Sequence, residues 1–331
     1  QLTEAPLDDR STFPTRRTFL AGTGAVLFAP HGAAAQSAPL AIVATTGMLA
    51  DAVRQIGGER VKVTALMGAG VDPHSYRQTR SDIAAMTRAD AVVWHGLYLE
   101  AQLEDFLETL SRRRPVVALA ETLPKDRLIP SGDQAGRFDP HVWMDPDLWA
   151  GVAAAARDLL SRLDPAGTEI YAANAERHLR DLAALQAYAR RVLASVPEPA
   201  RVLVTAHDAF SYFGRAYGFE VEGIQGISTE SEAGLKRVED LVTLLVQRKI
   251  GAIFVESSVS DRNVRALVEG AAARGHTVVI GGELFSDAMG PPGTYEGTYL
   301  GMIDHNVTLI ARALGGDAPP RGLAGRLKAG A

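Results

Sequence analysis

The sequence predicts an α/β protein with two lobes of parallel sheet joined by one long helix. From residue 38 onward, short apolar runs alternate with helical patterns, an order typical of parallel sheets with right-handed crossovers. Residues 166–195 interrupt this alternation with one continuous helical pattern, after which the alternation restarts. A helix of that length would extend about 45 Å. Because one small lobe needs less, we interpret this helix as the connection between two lobes.

The first lobe is predicted to contain four strands, each an apolar run bounded by polar or turn-forming residues. These strands are LAIVATT, RVKVTALM, DAVVWHG and RPVVALA. Helices are expected between and after them, over residues 48–57, over SDIAAMTRA with Ser81 or Asp82 as its cap, over residues 98–113, and from Pro146 onward with Asp145 as the N-cap.

The long helix and the second lobe follow. Leu179, Leu182, Leu185 and Val192 form an apolar stripe along the helix. Three further strands are predicted, RVLVTAH, GAIFVES and HTVVIGG, with helices over 232–249, 260–274 and 295–314. We therefore divide the chain into a signal segment (1–35), a first α/β lobe (36–165), a linking helix (166–196) and a second α/β lobe (197–331).

The composition excludes several classes of function. Of the 331 residues, 47% are hydrophobic and 22% are charged, which is typical of a globular protein. The net charge of −5, without an extended basic run, argues against nucleic-acid binding. No apolar stretch reaches the length of a membrane span, so we expect no membrane insertion. Because the chain has no cysteine, a metal site would have to consist of nitrogen and oxygen ligands.

The N-terminal segment predicts export. Arg16 and Arg17 precede Phe19 and Leu20, and an apolar stretch ends in small residues up to Ala35. This pattern is typical of a secretory signal cleaved near Ala35, and the arginine pair resembles a twin-arginine signal, whose pathway exports folded proteins. A Sec signal with a chance arginine pair is the alternative. A lipid anchor needs a cysteine at the cleavage site, so we expect a free periplasmic protein.

Three of the eight histidines share one context, together with an aspartate. His74 follows the second strand, His141 ends the polar loop 122–140, and His207 ends the first strand of the second lobe. Asp287 follows the last strand by a few residues. Ligands bind beyond the carboxyl ends of strands in open α/β sheets, and two facing lobes would direct these ends toward one cleft. Metal binding and scattered loop histidines both remain open on this evidence, because the spacings of 67, 66 and 80 residues match no short motif.

The other histidines are expected to have no part in a site, with one exception. His31 lies in the signal segment, and His178, His276 and His305 are interpreted as surface or packing residues. His95, directly after the strand in VVWHGLYLE, stays ambiguous.

Five segments resemble the metal-binding solute-binding proteins of zinc and manganese ABC transporters, in the order that this family has. They are ALMGAGVDPHSYRQTRSDI, ADAVVWHGLYLE, DPHVWMDP, TAHDAFSYFGRAYGFE and LFSDAMG. The resemblance covers nearly all of residues 38–315. It implies two (β/α) lobes with parallel sheets, joined by a rigid backbone helix, and a metal site at the lobe interface. His95 departs from the family, which usually has asparagine there.

The resemblance also implies the ligands. They would be His74 and His141 from the first lobe, and His207 and Asp287 from the second. Histidine at the third position goes mostly with zinc in the family, whereas glutamate goes with manganese. Three imidazoles and one carboxylate suit Zn²⁺, while Mn²⁺ prefers more oxygen. Many zinc importers carry a His-rich loop before the second ligand, and residues 122–140 contain no histidine.

A ligating imidazole needs an acceptor for its second nitrogen. Four acidic residues near the ligands are candidates for this role, with capping or turn formation as the alternative: Asp139, Asp145, Asp208 and Glu256. The aromatic residues beside the ligands are expected to exclude water, and core packing is equally consistent with them: Trp143, Phe210, Tyr212 and Phe213.

The sequence therefore predicts a monomeric periplasmic receptor, without enzymatic activity, that delivers Zn²⁺ to an ABC permease for import. A periplasmic metallochaperone is a further candidate partner. A manganese receptor of the same type is one alternative. The alternatives from other classes are a secreted zinc-dependent hydrolase, for which Glu256 would be the base, and a metal-independent binding protein or adhesin.

Overall fold

The computed structural model describes residues 38–132 and 136–328 of the chain, in which the strands are all paired in parallel within two lobes. The first lobe contains a four-stranded sheet with the order β2-β1-β3-β4. In the second lobe β5 pairs with β6 and β7 pairs with β8, while β5 lies against β7. The strands are β1 (Leu40–Ala44), β2 (Val61–Ala65), β3 (Ala91–Trp94), β4 (Val116–Ala118), β5 (Val202–His207), β6 (Glu220–Gln225), β7 (Ala252–Glu256) and β8 (Val279–Leu284).

Helices connect the strands and cover the sheets. They are α1 (Gly47–Gly57), α2 (Arg80–Arg88), α3 (Glu104–Ser111), α4 (Pro146–Leu163), α5 (Thr168–Leu193), α6 (Ser211–Tyr217), α7 (Leu235–Arg248), α8 (Arg262–Ala273) and α9 (Tyr299–Ala313). Among the described residues, no helix is both long and apolar enough to cross a membrane. The predicted fold class, two parallel α/β lobes with a long connecting helix, is confirmed.

The long helix α5 joins the lobes through a shared core. It packs against α1 and α4 of the first lobe and against α9 of the second. A single apolar cluster contains Ile42 of β1, Leu185 of α5 and Phe254 of β7. At 1.5 Å per residue the 26 residues of α5 extend about 39 Å, somewhat less than the predicted helix. The residue boundaries proposed for the lobes stay a prediction.

Several local details differ from the expectation. Thr79 caps α2: its hydroxyl accepts from the backbone N–H of Asp82, the third residue of the helix, and the Asp82 carboxylate accepts from the backbone N–H of Thr79. The cap is therefore neither Ser81 nor Asp82. The helix predicted over 98–113 is shorter: Tyr98 has a positive φ angle, residues 101–103 form a 3-10 helix, and α3 begins only at Glu104. Strand β6 and helix α6 are additional elements, and β8 begins three residues later than predicted.

Candidate metal centre

Four side chains from separate parts of the chain meet at the carboxyl ends of the strands. His207 is the last residue of β5, and Asp287 lies three residues beyond the end of β8. His74 lies in the turn between β2 and α2, and His141 precedes α4. The structure thus brings together the four residues that the sequence singled out, two from each lobe. One donor atom from each of them lies within 4.8 Å of the others.

The donor atoms lie close to one another. The Nε2 atoms of His74 and His141 are 3.2 Å apart. The carboxylate of Asp287 lies between the lobes, with Oδ1 3.4 Å from His141 Nε2 and Oδ2 3.2 Å from His207 Nε2. All four side chains are at most 3% exposed. A buried group of nitrogen and carboxylate donors that converge in this way is suited to a divalent cation.

Two of the three imidazoles are hydrogen-bonded through Nδ1 to a carboxylate. Asp139 Oδ1 accepts hydrogen bonds from the backbone N–H and from Nδ1 of His141, at 2.9 and 2.8 Å. Glu256 does the same for His207, with Oε1 2.9 Å from its backbone nitrogen and Oε2 2.5 Å from Nδ1. With Nδ1 donating in this way, Nε2 is the nitrogen that faces the space between the four side chains.

The charges of these groups shift their pKa values in opposite directions. Burial acts to lower the pKa of His141, but the Asp139 and Asp287 carboxylates outweigh it and raise this pKa to about 9. For His207, Asp287 and Glu256 likewise overcome burial and raise the pKa well above its ordinary value. Burial works against ionisation of Asp287, yet His207 and His141 hold the pKa of this carboxyl well below its ordinary value. The site therefore holds a carboxylate that attracts cations.

His74 differs from the other two histidines. Among the described residues, no carboxylate oxygen forms an ion pair or a hydrogen bond with its ring nitrogens, and burial lowers its pKa to about 4. Its backbone N–H is bonded to Asp72 Oδ1 at 2.8 Å. The ring faces a narrow cleft whose walls include Tyr98, Phe138 and Ile227. Of the three converging histidines, His74 is thus the one nearest to solvent.

Of the four acidic residues predicted to support the imidazoles, the structure brings only two to them, Asp139 and Glu256. Asp145 instead caps α4 by accepting from the backbone N–H of Asp147 at 3.0 Å. Asp208 accepts from the Ser211 hydroxyl at 2.9 Å. Both are therefore local turn or cap residues, although Asp208 lies close enough for its charge to interact with the ligands.

The sequence prediction did not include Asp72. The tripeptide Asp-Pro-His occurs twice, at residues 72–74 and 139–141, and in both copies the aspartate accepts from the backbone N–H of the histidine two residues later. This repeat was the available signal. Through Oδ2, Asp72 also accepts from the Thr229 hydroxyl of the second lobe at 2.6 Å, so it connects the His74 turn to the opposite lobe.

His95 lies beside the centre but is turned away from it. Its Nε2 is 2.7 Å from the carbonyl oxygen of Pro140, and its ring packs edge-on against Trp143. Burial lowers the pKa of this imidazole to about 3, so it is neutral, and Nε2–H is the donor to the carbonyl. The side chain is therefore bonded to the segment that carries His141.

The remaining described histidines have structural partners or packing positions, as expected. His276 and His305 bond to the carbonyl oxygens of Ile250 and Glu283, and His178 is buried on α5. His31 and the whole predicted signal segment lie outside the described residues. The aromatic residues beside the ligands are all buried (Trp143, Phe210, Tyr212 and Phe213). Tyr212 also donates its hydroxyl to the carbonyl oxygen of Asp139 at 2.8 Å.

Comparison with known proteins identifies related sequences and structures. The sequence model of the family described as "ZnuA: Zinc-uptake complex component A periplasmic" matches residues 42–313. The manganese-binding lipoprotein MntA of Bacillus subtilis is 48% identical over 275 residues, covering 83% of this chain and 90% of the relative. The zinc-binding protein TroA of Treponema pallidum is 47% identical over 287 residues, covering 87% and 92%.

The fold comparison agrees. The solved structure of the periplasmic zinc-binding protein TroA from Treponema pallidum matches with a TM-score of 0.81 at 46% sequence identity, covering 83% of this chain and 99% of that chain. One of the two related sequences is thus named for manganese and the other for zinc.

Proposed function

The chain belongs to the ZnuA family of metal-binding substrate-binding proteins of ABC transporters, and on this premise we propose that it is a zinc receptor with His74, His141, His207 and Asp287 as ligands. Its relatives are transporter receptors and not enzymes, so the chain is a binding component rather than a catalyst. The proposed task is capture of Zn²⁺ at the cleft, docking on a permease in the inner membrane, and release for import.

The observation that carries the proposal is the donor set and its spacing. Zinc bonds of about 2.0–2.1 Å in a tetrahedron place neighbouring donor atoms about 3.3–3.4 Å apart. The close contacts that join the four residues measure 3.2, 3.4 and 3.2 Å, the last two to different oxygens of Asp287, and one donor atom from each residue lies within 4.8 Å of the others. Modest side-chain adjustment would bring these atoms to zinc-binding distances. Three imidazole nitrogens and one carboxylate oxygen also form a donor set that zinc accepts more readily than manganese does.

Manganese is the second candidate cargo. The observation in its favour is the 48% identity to a relative named as manganese-binding. Mn²⁺ prefers more oxygen donors, and the described site offers one carboxylate among three imidazoles.

A zinc hydrolase is a poorer fit to the geometry. A catalytic zinc keeps an open coordination position beside a carboxylate base. Here four protein donors converge, and Glu256, the candidate base, has each of its oxygens bonded to His207. This carboxylate is therefore occupied in holding a ligand.

Competitive metal titration tests the proposal. Metal-free protein is titrated with Zn²⁺ and Mn²⁺ against a chelator, and the bound metal is counted. We expect one Zn²⁺ per chain, with zinc bound more tightly than manganese. Single alanine variants of the four proposed ligands should each weaken zinc binding by at least about tenfold, because removal of partners around a metal typically costs that much or more.

The controls use histidines outside the proposed ligand set. His276→Ala and His305→Ala should leave the zinc affinity unchanged, and His95→Asn should keep one Zn²⁺ per chain. Loss of stoichiometric zinc in His95→Asn combined with wild-type affinity in His207→Ala would refute the assignment. Tighter binding of manganese than of zinc would refute the proposed cargo.

The proposed location is the periplasm, reached by the twin-arginine signal at residues 1–35. Its support is the family description, which names periplasmic components, and the sequence pattern around Arg16 and Arg17. The MntA relative is named a lipoprotein, so cell fractionation should separate a membrane-bound fraction from a free one.

A further inference from the structure

Trp143 links the two ligand segments that come from opposite lobes. It lies two residues after His141, and its Nε1–H donates to the carbonyl oxygen of Ser286 at 2.8 Å. Ser286 directly precedes the ligand Asp287. Trp143 and Ser286 are both fully buried, so water cannot replace this hydrogen bond without rearrangement.

The tryptophan is itself held in place from several directions. Its carbonyl oxygen accepts from the hydroxyl of Tyr299 at 2.8 Å. Its ring lies edge-on to the rings of His141 and His95, with centroids 5.1 and 5.0 Å apart. The indole N–H therefore has a fixed direction, which a positioning group requires.

The segment that carries Asp287 is held on two sides. Asn306 of α9, in the same lobe, bonds to both the N–H and the carbonyl of Phe285 at 2.9 and 2.7 Å. Trp143 holds the next carbonyl along the chain from the first lobe. A carboxylate that lies 3.4 Å from one imidazole and 3.2 Å from another tolerates little displacement of its backbone.

We propose that Trp143 is a positioning residue for Asp287. The indole N–H of Trp143 binds the carbonyl oxygen of Ser286 and so holds the adjacent Asp287 at the distance from His141 that the metal requires. The inference rests on the proposed ligand set. It assigns to one hydrogen bond across the lobes the task of keeping the carboxylate in place before metal arrives. Such pre-organisation strengthens metal binding, because the carboxylate is already ordered when the metal arrives.

A double-mutant cycle tests the inference. Trp143→Phe keeps an aromatic ring and removes the N–H, and it should weaken zinc binding by about tenfold, the worth of a well-placed buried hydrogen bond. In protein that already carries Asp287→Ala, the same change should have less than about a twofold effect, because the group that it positions is gone. Stopped-flow transfer of zinc to a chelator should show that the loss of affinity comes from faster dissociation of zinc.

Trp149 provides a matched control. It is fully buried on α4, and its Nε1 has no hydrogen-bond partner among the described residues. Trp149→Phe makes the same change in size without removing a bond, and should leave zinc affinity within about twofold. If Trp143→Phe fails to fold, replacement of Trp143 by benzothienylalanine, which exchanges the ring N–H for sulfur at nearly constant shape, tests the same point.

The outcomes separate the two proposals. If Asp287→Ala leaves zinc binding intact, the proposed ligand set is wrong. If Asp287→Ala weakens binding and Trp143→Phe has the same effect in both backgrounds, Trp143 acts by packing alone and the positioning role is overturned. Equal losses in Trp143→Phe and Trp149→Phe would overturn it in the same way.

Discussion

His207 is the proposed ligand that we expect to have the largest effect on the choice of metal. It supplies a nitrogen between two carboxylates, since Asp287 lies 3.2 Å from its Nε2 and Glu256 lies 2.5 Å from its Nδ1. A glutamate at this position would give two imidazoles and two carboxylates, a set with more oxygen. His207→Glu should lose zinc affinity and narrow the preference for zinc over manganese, as measured by competitive titration with both ions. Zinc should still bind more tightly in absolute terms.

The structure indicates charge repulsion in the His207→Glu variant, which a second substitution reduces. The new carboxylate would face both Glu256 and Asp287, and like charges at such distances favour a protonated carboxyl. His207→Glu combined with Glu256→Gln removes the part of this repulsion that comes from Glu256, so the double variant should bind manganese better than the single one. A wild-type zinc preference in both variants would contradict the role assigned to His207.

The pH dependence that we expect for zinc affinity follows from the charges around His141. Its pKa is raised to about 9 by Asp139 and Asp287 against the effect of burial, so at neutral pH metal must displace a proton. The pKa of His207 is also raised, so the metal must displace a second proton there. Affinity should therefore increase between about pH 6 and 8.5, by about tenfold to a hundredfold per pH unit for one or two protons released.

The pH range over which affinity rises distinguishes this case from ordinary histidine ligands. Imidazoles with a pKa near 6.5 would give an affinity that levels off above about pH 7. Here the increase should continue beyond that point, because the raised pKa values extend proton competition upward. Chelator titrations across the range, with proton release measured in weak buffer, check this prediction, and a constant affinity above pH 7 would contradict it.

At the level of single residues, sequence reasoning selected the four converging side chains but only part of their support. The Asp-Pro-His repeat was in view, yet only Asp139 of its two aspartates was named. Conversely, Asp145 and Asp208 lie next to ligands in sequence but direct their oxygens elsewhere. Proximity along the chain does not fix the direction of a side chain, which depends on the backbone turn and on what packs above it.

Helix α5 packs against helices of both lobes. Its buried residues contribute to a core cluster that also contains residues of both lobes. Gln186 of this helix donates to Asp147 at the start of α4 at 3.1 Å and accepts from the hydroxyl of Tyr217 on α6 at 2.5 Å. We therefore expect the metal-free protein to unfold in a single cooperative transition.

Leu185→Ala tests this expectation. Leu185 is fully buried on α5, and the cavity left by its truncation should lower the free energy of unfolding by about 2–5 kcal/mol. Ile170→Ala on the same helix, at a side chain that is 47% exposed, should cost less than about 1 kcal/mol. Denaturant unfolding followed by circular dichroism and by tryptophan fluorescence should give coincident curves, and separate transitions would show that the lobes unfold independently.

The two elements that were not predicted, β6 and α6, both lack an extended apolar pattern. Strand β6 places Glu220 and Glu222 among its apolar residues, and these carboxylates pair with Arg248 and Arg237, so the segment lacks the continuous apolar run of a buried strand. Helix α6 has only seven residues, too few for a clear helical period. The long helices and the buried strands, by contrast, were predictable because their apolar spacing extends over many residues.

For the molecule as a whole, the site lies where the lobes meet, and several hydrogen bonds cross that boundary. The hydrogen bonds near His141 involve Trp143, Tyr212 and Tyr299. The hydrogen bond near His74 joins Asp72 to Thr229 of the second lobe. Because each lobe supplies two of the proposed ligands, the site exists only after both lobes have folded and packed together. If the chain follows the proposed twin-arginine route, which carries folded proteins, its export would therefore depend on its folding.

The twin-arginine prediction makes that link testable. The route carries folded proteins, so a chain that uses it would form its metal site before crossing the membrane. In the full chain, Arg16→Lys with Arg17→Lys should reduce the periplasmic fraction sharply and leave precursor in the cytoplasm, as measured by fractionation and immunoblotting. Arg112→Lys with Arg113→Lys, an equal change at two exposed arginines of the folded domain, should leave export unchanged. Undiminished periplasmic protein in the Arg16/Arg17 variant would assign export to the general secretory route, and recovery of the wild-type chain in the membrane fraction would contradict the proposed free periplasmic state.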